Sequence, residues 1–398
     1  SLSPVSLSAP MVAMLSLHGT LAGTLGGSLG GSRSACFLGL SSPRLSPPGG
    51  AIGLDGRLRR YRRFHQMEKA SRGQQRACVW CASSSSSSEP AEHPRDETGL
   101  DDSAPPQPSR SFGVVITGST KGIGLAMART HLALGDRVVI NSRDADRVQA
   151  SVAELTAEFG DDNVSGVAAN VSLAQDAKLL AKEAAEFLGE IDVWVNNAGT
   201  NGYYYGSLLD TDTDIMSEII ETNLLGSMLC CREAIAVMRD QEGGGLVFNM
   251  DGAGSSGSPT PRFAAYGATK AAIPQLTSSI SAELKSLDIA DKVSVHTLSP
   301  GMVTTDLLMA GADTKVSKFF INILAETPDK PAGFLVPRVR SLAAEAQEGA
   351  RGMQRKPQKS VYIKFLTDVK AYSAMMRRVL LGENKDRYVP EDSYLPFL

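Results

Sequence analysis

The chain has 398 residues, a hydrophobic share of 42% and a formal net charge of −3, with 40 Lys and Arg against 43 Asp and Glu. This length and hydrophobic content suffice for two domains, or for one large domain with appendages. The nearly balanced charge provides no basic field, so nucleic-acid binding is not expected. No stretch reaches about 18 consecutive apolar residues, which argues against a membrane-spanning helix.

Residues 1–82 are rich in Ser, Gly, Ala, Leu and Pro, and they hold a cluster of Arg residues but only two acidic residues, Asp55 and Glu68. Gly and Ser interrupt every apolar run, so a secretory signal is not indicated. The composition is typical of an organelle transit peptide, and the Ser-rich opening favours a plastid over a mitochondrion. A plain disordered tail is the alternative.

Residues 83–110 start with a Ser run and continue as an acidic, Pro-rich segment. They lack the apolar residues needed for a core and are predicted to be a linker. Cys78 and Cys81 have a spacing found in zinc and redox sites, but no second pair of ligands follows. No metal site is predicted.

From Phe112 onward, short apolar runs alternate with helical patterns of ten or more residues. Such alternation predicts an α/β fold with a doubly wound parallel sheet and right-handed crossovers, that is, a Rossmann fold. Ligands in these sheets bind beyond the carboxyl ends of the strands. The predicted strands lie at 112–117, 137–140, 164–169, 191–195, 245–250 and 293–298.

The turn after the first predicted strand is rich in glycine and opens a helix. Glycines in this position allow a tight turn, a close approach of the backbone to a pyrophosphate and close helix packing. The context of strand, turn and helix therefore predicts nucleotide binding. The candidate residues are Gly118, Ser119, Thr120, Lys121, Gly122, Ile123 and Gly124.

The second predicted strand leads into Ser142 and Arg143, about twenty residues beyond the glycine-rich turn, where an acidic residue would bind the ribose of NAD. Arg143, together with Lys121, favours a 2′-phosphate instead, so the predicted cofactor is NADPH or NADP. The alternative is a solvated Arg143 that precedes a helix capped by Asp144.

Tyr266 and Lys270 are four residues apart in a predicted helix and therefore share one face. A phenol has a reference pKa of about 10, and an adjacent ammonium favours its ionised form. We expect Lys270 to lower the pKa of Tyr266 and so to create an acid/base pair. On its own this spacing also fits a half-buried Tyr beside an exposed Lys.

Taken together, these motifs resemble the short-chain dehydrogenase/reductase family over residues 112–306. The resemblance implies that Tyr266 and Lys270 are the acid/base pair and that Asn223 holds the water of a proton relay. It also implies further contacts to the cofactor. These are Asn170, Val171, Asn197, Ala198, Gly199, Pro300, Gly301, Val303 and Thr305.

The sequence departs from the family pattern in two places. Asn170 stands where the family usually has an Asp, and its amide oxygen can still accept a hydrogen bond. Asp251 or Gly252 falls where the family usually has a Ser that orients the substrate carbonyl. Ser255 or Ser256 could supply that hydroxyl if the loop folds back.

The stretches 249–255, 259–270, 298–308 and 318–326 closely resemble chlorophyll b reductases of the branch without membrane spans. This resemblance implies reduction of the 7-formyl group of chlorophyll b or chlorophyllide b, in the chloroplast stroma or at the thylakoid surface. It implies a homo- or hetero-oligomer, with a membrane-spanning paralogue as a candidate partner. Candidate substrate residues are Asp251, Ser255 and Tyr204. Tyr203, Tyr204 and Tyr205 either stack on a macrocycle or only pack.

Residues 111–340 are predicted to form the Rossmann domain with a substrate lid, and residues 341–398 a C-terminal extension packed on it. The lid after Thr305 is rich in Leu, Met, Phe and Ile, which suits a large apolar ligand or an ordinary packed lid. Residues 360–366 are a candidate last strand. Val369, Tyr372, Met376 and Val379 form a helical stripe that is expected to face the core, with a membrane surface as the alternative.

Two other functions remain open from the sequence. A plastid 3-oxoacyl carrier-protein reductase would share the fold and the leader, but it would be expected to keep the substrate Ser. A catalytically silent NADPH-binding scaffold is compatible with the missing Ser, although Asn223, Tyr266 and Lys270 are all present.

Overall fold

The structure is a computed structural model that describes residues 95–96, 104–105, 107–351 and 357–391. All of them belong to one of the chain's two compact units, which comprises Ser1–Gly19 and His93–Leu398. The predicted transit peptide at 1–82 lies outside the described residues, as do Cys78 and Cys81.

The fold is a parallel sheet with helices on both faces, as the alternation of apolar runs predicts. The strands are β1 (Arg95–Asp96), β2 (Gly113–Ile116), β3 (Arg137–Ser142), β4 (Val164–Ala168), β5 (Val193–Asn196), β6 (Gly245–Met250), β7 (Val293–Ser299), β8 (Met302–Val303), β9 (Ala325–Glu326) and β10 (Val361–Lys364). The main sheet has the order β1-β10-β7-β6-β5-β2-β3-β4, and β8 pairs with β9 separately.

Ten α-helices occur among the described residues. They are α1 (Gly122–Ala133), α2 (Ala145–Phe159), α3 (Ala174–Leu188), α4 (Thr213–Ile220), α5 (Gly226–Met238), α6 (Ala264–Ser286), α7 (Asp306–Met309), α8 (Lys315–Leu324), α9 (Asp329–Arg351) and α10 (Asp368–Leu381). Short 3₁₀ helices cover Asp161–Asn163 and Leu208–Asp210, and a π-helical turn, Glu221–Leu225, joins α4 to α5.

Helices on both faces explain why the strands consist of continuous apolar runs rather than alternating ones. The side chains of β2, for example, are all buried. Val114 and Ile116 pack with α1, α2 and α9 on one face, whereas Val115 packs with α3, α5 and α6 on the other. The predicted fold class is therefore confirmed.

The C-terminal part of the chain completes this sheet. The predicted last strand is confirmed as β10, which pairs with β7 through Tyr362 and Thr297. The proposed division at residue 340 falls inside α9, where buried Arg340 binds the buried carboxylate of Asp136 at 2.9 Å. Arg340 also donates to the Gln107 side chain at 3.1 Å, so part of the predicted linker contacts the domain. β1, which pairs with β10, also lies in that segment.

The expectation that the stripe on α10 faces the core is wrong. Val369, Tyr372, Met376 and Val379 are each more than half exposed. The buried residue of this helix is Arg378 from the opposite side, because its guanidinium pairs with Glu391. A buried ion pair, which the apolar pattern does not reveal, therefore sets the orientation of α10.

Candidate active site

A cleft of about 1770 Å³ opens at the carboxyl ends of β2, β3, β5, β6 and β7. Parallel strands place all the turns that follow them at one edge of the sheet, which is why the predicted motifs meet there. Among the described residues, α7, α8 and α10 complete the walls on the other side. The cleft thus has one wall formed by the strand ends and one wall of helices.

Most of the predicted site residues line this cleft, and three do not. Ser119 is fully buried, and its hydroxyl donates to the carbonyl of Ile116 at 2.6 Å. Asn223 lies one layer behind the wall, and Tyr204 turns away to donate to the carbonyl of Asp210 at 3.3 Å. The residues that do line it are Gly118, Thr120, Lys121, Gly122, Ile123, Gly124, Ser142, Arg143, Asn170, Val171, Asn197, Ala198, Gly199, Asp251, Ser255, Tyr266, Lys270, Pro300, Gly301, Val303 and Thr305.

The glycine-rich turn has the geometry of a phosphate cradle. Gly118 has a φ of 62°, and a Cβ at this position would lie 2.8 Å from the Cα of Ala198, so only glycine fits. Lys121 precedes α1 without a side-chain cap, which leaves the first N–H groups of this helix without a side-chain acceptor. An anionic group in the cleft would satisfy them.

Lys121 also links this turn to the opposite wall. Its ammonium donates to the Tyr203 hydroxyl at 2.9 Å and to the Asp306 carboxylate at 3.1 Å. The hydrogen bond that Lys121 donates to Tyr203 is the main cause that raises the pKa of Lys121. Lys121 is therefore a fixed positive charge at the mouth of the cleft.

Arg143 lies in the cleft and forms an ion pair that the sequence does not reveal. Its guanidinium contacts the Glu218 carboxylate of α4 at 2.9 Å, and its side chain is 63% exposed. Asp144 caps α2 by accepting from the N–H of Arg147. Arg143 is thus available to a ligand, but any anion that it binds must compete with Glu218.

Asn170 and Asn197, both predicted to contact the cofactor, form hydrogen bonds within the protein. The Asn170 amide oxygen accepts from the Ser172 hydroxyl at 2.9 Å, so this oxygen is already engaged. The Asn197 amide donates to the carbonyls of Thr117 and Gly118 at 2.9 and 3.0 Å. Asn197 therefore ties the turn after β5 to the glycine-rich turn.

Asn223 connects the π-helical turn to the loop after β5 and to α6. Its amide oxygen accepts from the Thr200 N–H at 2.7 Å, and its amide nitrogen donates to the Thr200 carbonyl at 2.8 Å. The same nitrogen donates to the Thr269 hydroxyl at 3.1 Å. Because Thr269 directly precedes Lys270, these bonds attach Asn223 to the turn of α6 that carries Lys270, behind the cleft wall.

Tyr266 and Lys270 share the face of α6 that borders the cleft, as their spacing predicts. The Lys270 ammonium is buried, donates to the carbonyl of Met250 at 3.1 Å and lies 5.7 Å from the centre of the Tyr266 ring. Burial lowers the pKa of Lys270 to about 8, and the nearby Asp251 opposes this shift.

The expected lowering of the pKa of Tyr266 by Lys270 is not found. Burial raises this pKa above its ordinary value, and the charges of Asp251 and Tyr205 raise it further. A phenol in this setting stays protonated at neutral pH, so Tyr266 can give a proton.

Of the two residues at the position of the missing Ser, Gly252 has its backbone against the Tyr266 hydroxyl. A Cβ at Gly252 would lie 2.4 Å from the Tyr266 hydroxyl, so this backbone passes directly beside the reactive group. The hydroxyl of exposed Ser256 donates instead to Ser258 at 3.0 Å. Ser255 donates to the Asp251 carboxylate at 3.2 Å, and Tyr362 of β10 donates to the same oxygen. Tyr362 was not identified from the sequence, because it lies far beyond the other motifs.

The wall opposite the glycine-rich turn is largely apolar. Tyr205 contacts Phe263, with 5.3 Å between the ring centres, and donates to the Leu307 carbonyl at 3.1 Å. Further lining side chains come from α8, α10 and the segment before α10. They are Val316, Phe319, Phe320, Leu324, Leu366, Tyr372, Met375 and Val379.

Comparison with known proteins agrees with this geometry. A family model described as short chain dehydrogenase matches residues 113–315, and the chain belongs to this family. The rice (Oryza sativa subsp. japonica) protein named "Chlorophyll(ide) b reductase NOL, chloroplastic" is 50% identical over 281 residues, which cover 71% of this chain and 79% of that protein. The Arabidopsis thaliana protein of the same name is 49% identical, covering 71% and 77%.

Solved structures give the same architecture. An alcohol dehydrogenase from Thermococcus sibiricus, complexed with 5-hydroxy-NADP, has a TM-score of 0.50 and 25% identity and covers 64% of this chain and 96% of its own. A 3-ketoacyl-(acyl-carrier-protein) reductase from Brucella melitensis, complexed with NADH, has the same score and identity, covering 63% and 95%. These two neighbours differ in cofactor, so the charges of this cleft have to decide the preference.

The ion pair between Arg143 and Glu218 predicts how the preference for NADPH over NADH can be changed. Arg143→Ala should weaken NADPH binding by roughly tenfold and leave NADH binding unchanged, since an exposed charge-assisted contact to phosphate is lost. Glu218→Gln should strengthen NADPH binding, because the competing carboxylate is gone. Fluorescence titration of both cofactors measures this, with Arg239→Ala, an exposed Arg outside the cleft, as control. Equal affinity of the wild type for both cofactors would contradict the assignment.

Buried Lys270 predicts a pH-dependent stability. Between about pH 8 and 10.5 the folded protein holds Lys270 neutral while the unfolded chain holds it protonated, so unfolding takes up a proton and stability rises with pH. Relative to Lys270→Met, the wild type should gain up to about 3 kcal/mol over this window. Denaturant unfolding at several pH values measures the difference. Lys285→Met, at the exposed end of α6, should behave as wild type, whereas identical curves for Lys270→Met and wild type would refute the assignment.

Proposed function

We propose that this chain is a chloroplast chlorophyll(ide) b reductase that uses NADPH to reduce the 7-formyl group of its pigment to 7-hydroxymethyl. The observation that carries the proposal is the position of Tyr266 and Lys270, which face a large cleft whose other wall is apolar. The identity of about one half to two proteins with this name supports the choice of substrate.

The cleft fits a nicotinamide dinucleotide. The glycine-rich turn and the first N–H groups of α1 would hold the pyrophosphate, and Arg143 with Lys121 would hold a 2′-phosphate. Asn197, Gly199 and the turn from Pro300 to Thr305 would line the rest of the cofactor, together with Lys270. When bound, NADPH supplies the hydride for the carbonyl carbon.

The proton comes from the protein. Tyr266 is held neutral by burial, so its hydroxyl can protonate the oxygen of the reduced carbonyl. The buried Lys270 ammonium would stabilise the phenolate that is left behind. Asn223 and Thr269 fix the turn of α6 between these two residues, because Thr269 also donates to the Tyr266 carbonyl at 2.7 Å. Asn223 therefore acts from behind the wall, as an anchor for this part of the proton path.

The apolar wall suits a flat macrocycle. Phe263, Phe319, Phe320 and Leu324 offer a broad surface on which such a ring can lie, and burial of this area orients the ring without many hydrogen bonds. The binding energy of the whole ring would then serve the reaction at one formyl group. A small aldehyde has no macrocycle to bury, so it lacks this binding energy.

The two rival functions make different demands on the residues of the cleft. A 3-oxoacyl carrier-protein reductase would use a hydroxyl beside Tyr266 for its small ketone, and Gly252 supplies none at that position. A silent scaffold would not need a buried Lys270 with a lowered pKa, which costs stability at neutral pH.

Turnover of purified protein with NADPH tests the proposal. Chlorophyllide b should be reduced far faster than a small aldehyde or a 3-oxoacyl thioester, each followed by NADPH consumption and product analysis. Tyr266→Phe should lose at least about 100-fold in turnover and retain NADPH binding, since only the proton is removed. Faster turnover of the thioester would favour the first rival, and normal turnover of Tyr266→Phe would favour a different proton donor.

For the location within the chloroplast, we propose the thylakoid surface, contacted through the exposed stripe of α10. Tyr372 and Val379 are exposed and also line the cleft, so a lipid surface on this stripe would lie next to the pigment's entrance. Arg377 and Arg378 pair with Glu383 and Glu391, so the support comes from apolar area and not from charge. Within the described residues, no helix is long and apolar enough to cross a membrane. Assembly with a second copy or with a membrane-spanning relative stays a prediction.

Vesicle sedimentation tests whether the exposed stripe of α10 binds a lipid surface. The wild type should bind neutral and anionic vesicles about equally, because Arg377 and Arg378 of α10 are already paired. Leu380, next to Val379 of the stripe, is also exposed, and the double variant Met376→Glu and Leu380→Glu should lose this binding, since charges on the apolar face oppose insertion. Leu209→Glu, which changes a 94% exposed Leu elsewhere, is the matched control. A wild type that stays in solution, or an equal loss in the control, would argue against this contact.

A further inference from the structure

Asp251 is a buried carboxylate beside the active site to which the proton path described above assigns no role. It follows the last residue of β6, is 6% exposed and lines the cleft. One of its oxygens accepts from the Tyr362 hydroxyl and from Ser255 at 3.2 Å, and the Ser299 side chain also bonds to it. Burying such a group is costly, so a function for it is worth seeking.

The sheet itself brings Asp251 and Tyr362 together. The N–H of Asp251 donates to the carbonyl of Leu298 in β7 at 2.9 Å, and Tyr362 of β10 pairs with Thr297 of the same strand. The three strands β6, β7 and β10 are parallel neighbours, so their carboxyl ends lie side by side. β10 therefore delivers a phenol to the edge at which Tyr266 lies.

This phenol lies where the site lacks a hydroxyl. Gly252 has no side chain with which to orient a substrate carbonyl, and a Cβ there would crowd the Tyr266 hydroxyl. Ser256 points to Ser258, and Ser255 is bonded to Asp251. Tyr362, by contrast, lines the cleft with part of its ring exposed.

Resting on the proposed function, we propose that Tyr362 is the hydroxyl that orients the substrate carbonyl, and that Asp251 is the residue that positions it. When the Asp251 carboxyl carries a proton, it donates to the Tyr362 oxygen, and the Tyr362 O–H is free to donate to the carbonyl oxygen of the substrate. Tyr362 keeps its proton throughout. The proton that ends on the product alcohol still comes from Tyr266.

The electrostatics of the pair are consistent with this role. Burial raises the pKa of Asp251, which favours the protonated carboxyl, although Tyr362, Ser299, Lys270 and Ser255 act in the opposite direction. Burial raises the pKa of Tyr362 above its ordinary range, and an ionised Asp251 raises it further, so this phenol stays a donor in either state of the carboxyl. A donor aimed at the oxygen where negative charge develops acts on the transition state more than on the bound substrate.

Tyr362→Phe tests the contact, because it keeps the ring and removes the hydroxyl. With chlorophyllide b and NADPH, kcat should fall by about 100-fold, as for other lost donors of this type. The affinity for chlorophyllide b alone, read from quenching of protein fluorescence without cofactor, should change less than about threefold, and NADPH affinity should not change. Tyr204→Phe, whose hydroxyl lies outside the cleft, should match the wild type.

Substitution of Asp251 separates positioning from a merely structural role. Asp251→Asn retains an N–H that can donate to the Tyr362 oxygen, so it should keep turnover within about tenfold of wild type. Asp251→Ala removes that donor and should fall to the level of Tyr362→Phe, with no further loss in the double variant. Thermal unfolding of each variant shows that the protein is folded.

The outcomes distinguish this inference from the proposed function. Normal turnover of chlorophyllide b by Tyr362→Phe overturns the inference and leaves the pigment as substrate. An Asp251→Asn variant as slow as Asp251→Ala overturns the positioning role. If the wild type ignores the pigment and reduces another carbonyl, the proposed function fails, and the loss in Tyr362→Phe on that carbonyl still decides the role of Tyr362.

Discussion

The buried ammonium of Lys270 is the constraint on which the site depends. An amine with this burial needs an acceptor, and the carbonyl of Met250 at the end of β6 provides it at 3.1 Å. That bond fixes α6 against the edge of the sheet and so sets where Tyr266 lies. The loop after β6 then passes close to the phenol, and Gly252 leaves room for the hydroxyl there. The buried Lys270 ammonium thereby fixes the relative positions of Tyr266, the end of β6 and the space beside the Tyr266 hydroxyl.

The parts of this arrangement that follow from local rules were predictable from the sequence. Continuous apolar runs predict buried parallel strands, and the spacing of Tyr266 and Lys270 predicts a shared helix face, because both patterns reflect backbone geometry alone. The glycine-rich turn is similar, since Gly118 adopts a positive φ and has no space for a Cβ. The sequence therefore suffices to infer the fold class and a nicotinamide cofactor.

The parts that depend on long-range contacts were not predictable. The partners of Arg143, Lys121 and Arg378 are Glu218, Asp306 and Glu391, and in two of these three cases the partner is distant in the chain. The Arg378 pair reversed the expected orientation of α10, since a helical stripe shows which residues share a face but not which face is buried. The pKa of Tyr266 was misjudged for a related reason, because burial and Asp251 outweigh the effect expected from Lys270.

The site lacks the usual Ser and has Tyr362 of β10 nearby, which illustrates how a C-terminal strand can alter the substrate site of this fold. The family model ends at residue 315, whereas Tyr362 reaches the cleft from β10, beyond that limit. A hydroxyl at the end of β6 would approach the carbonyl from beside Tyr266, where a flat macrocycle also needs space. A phenol from the neighbouring edge leaves that space open and still offers an O–H. Gly252 and Tyr362 are therefore complementary. Gly252 leaves the space beside Tyr266 open, and Tyr362 supplies the hydroxyl from the neighbouring edge.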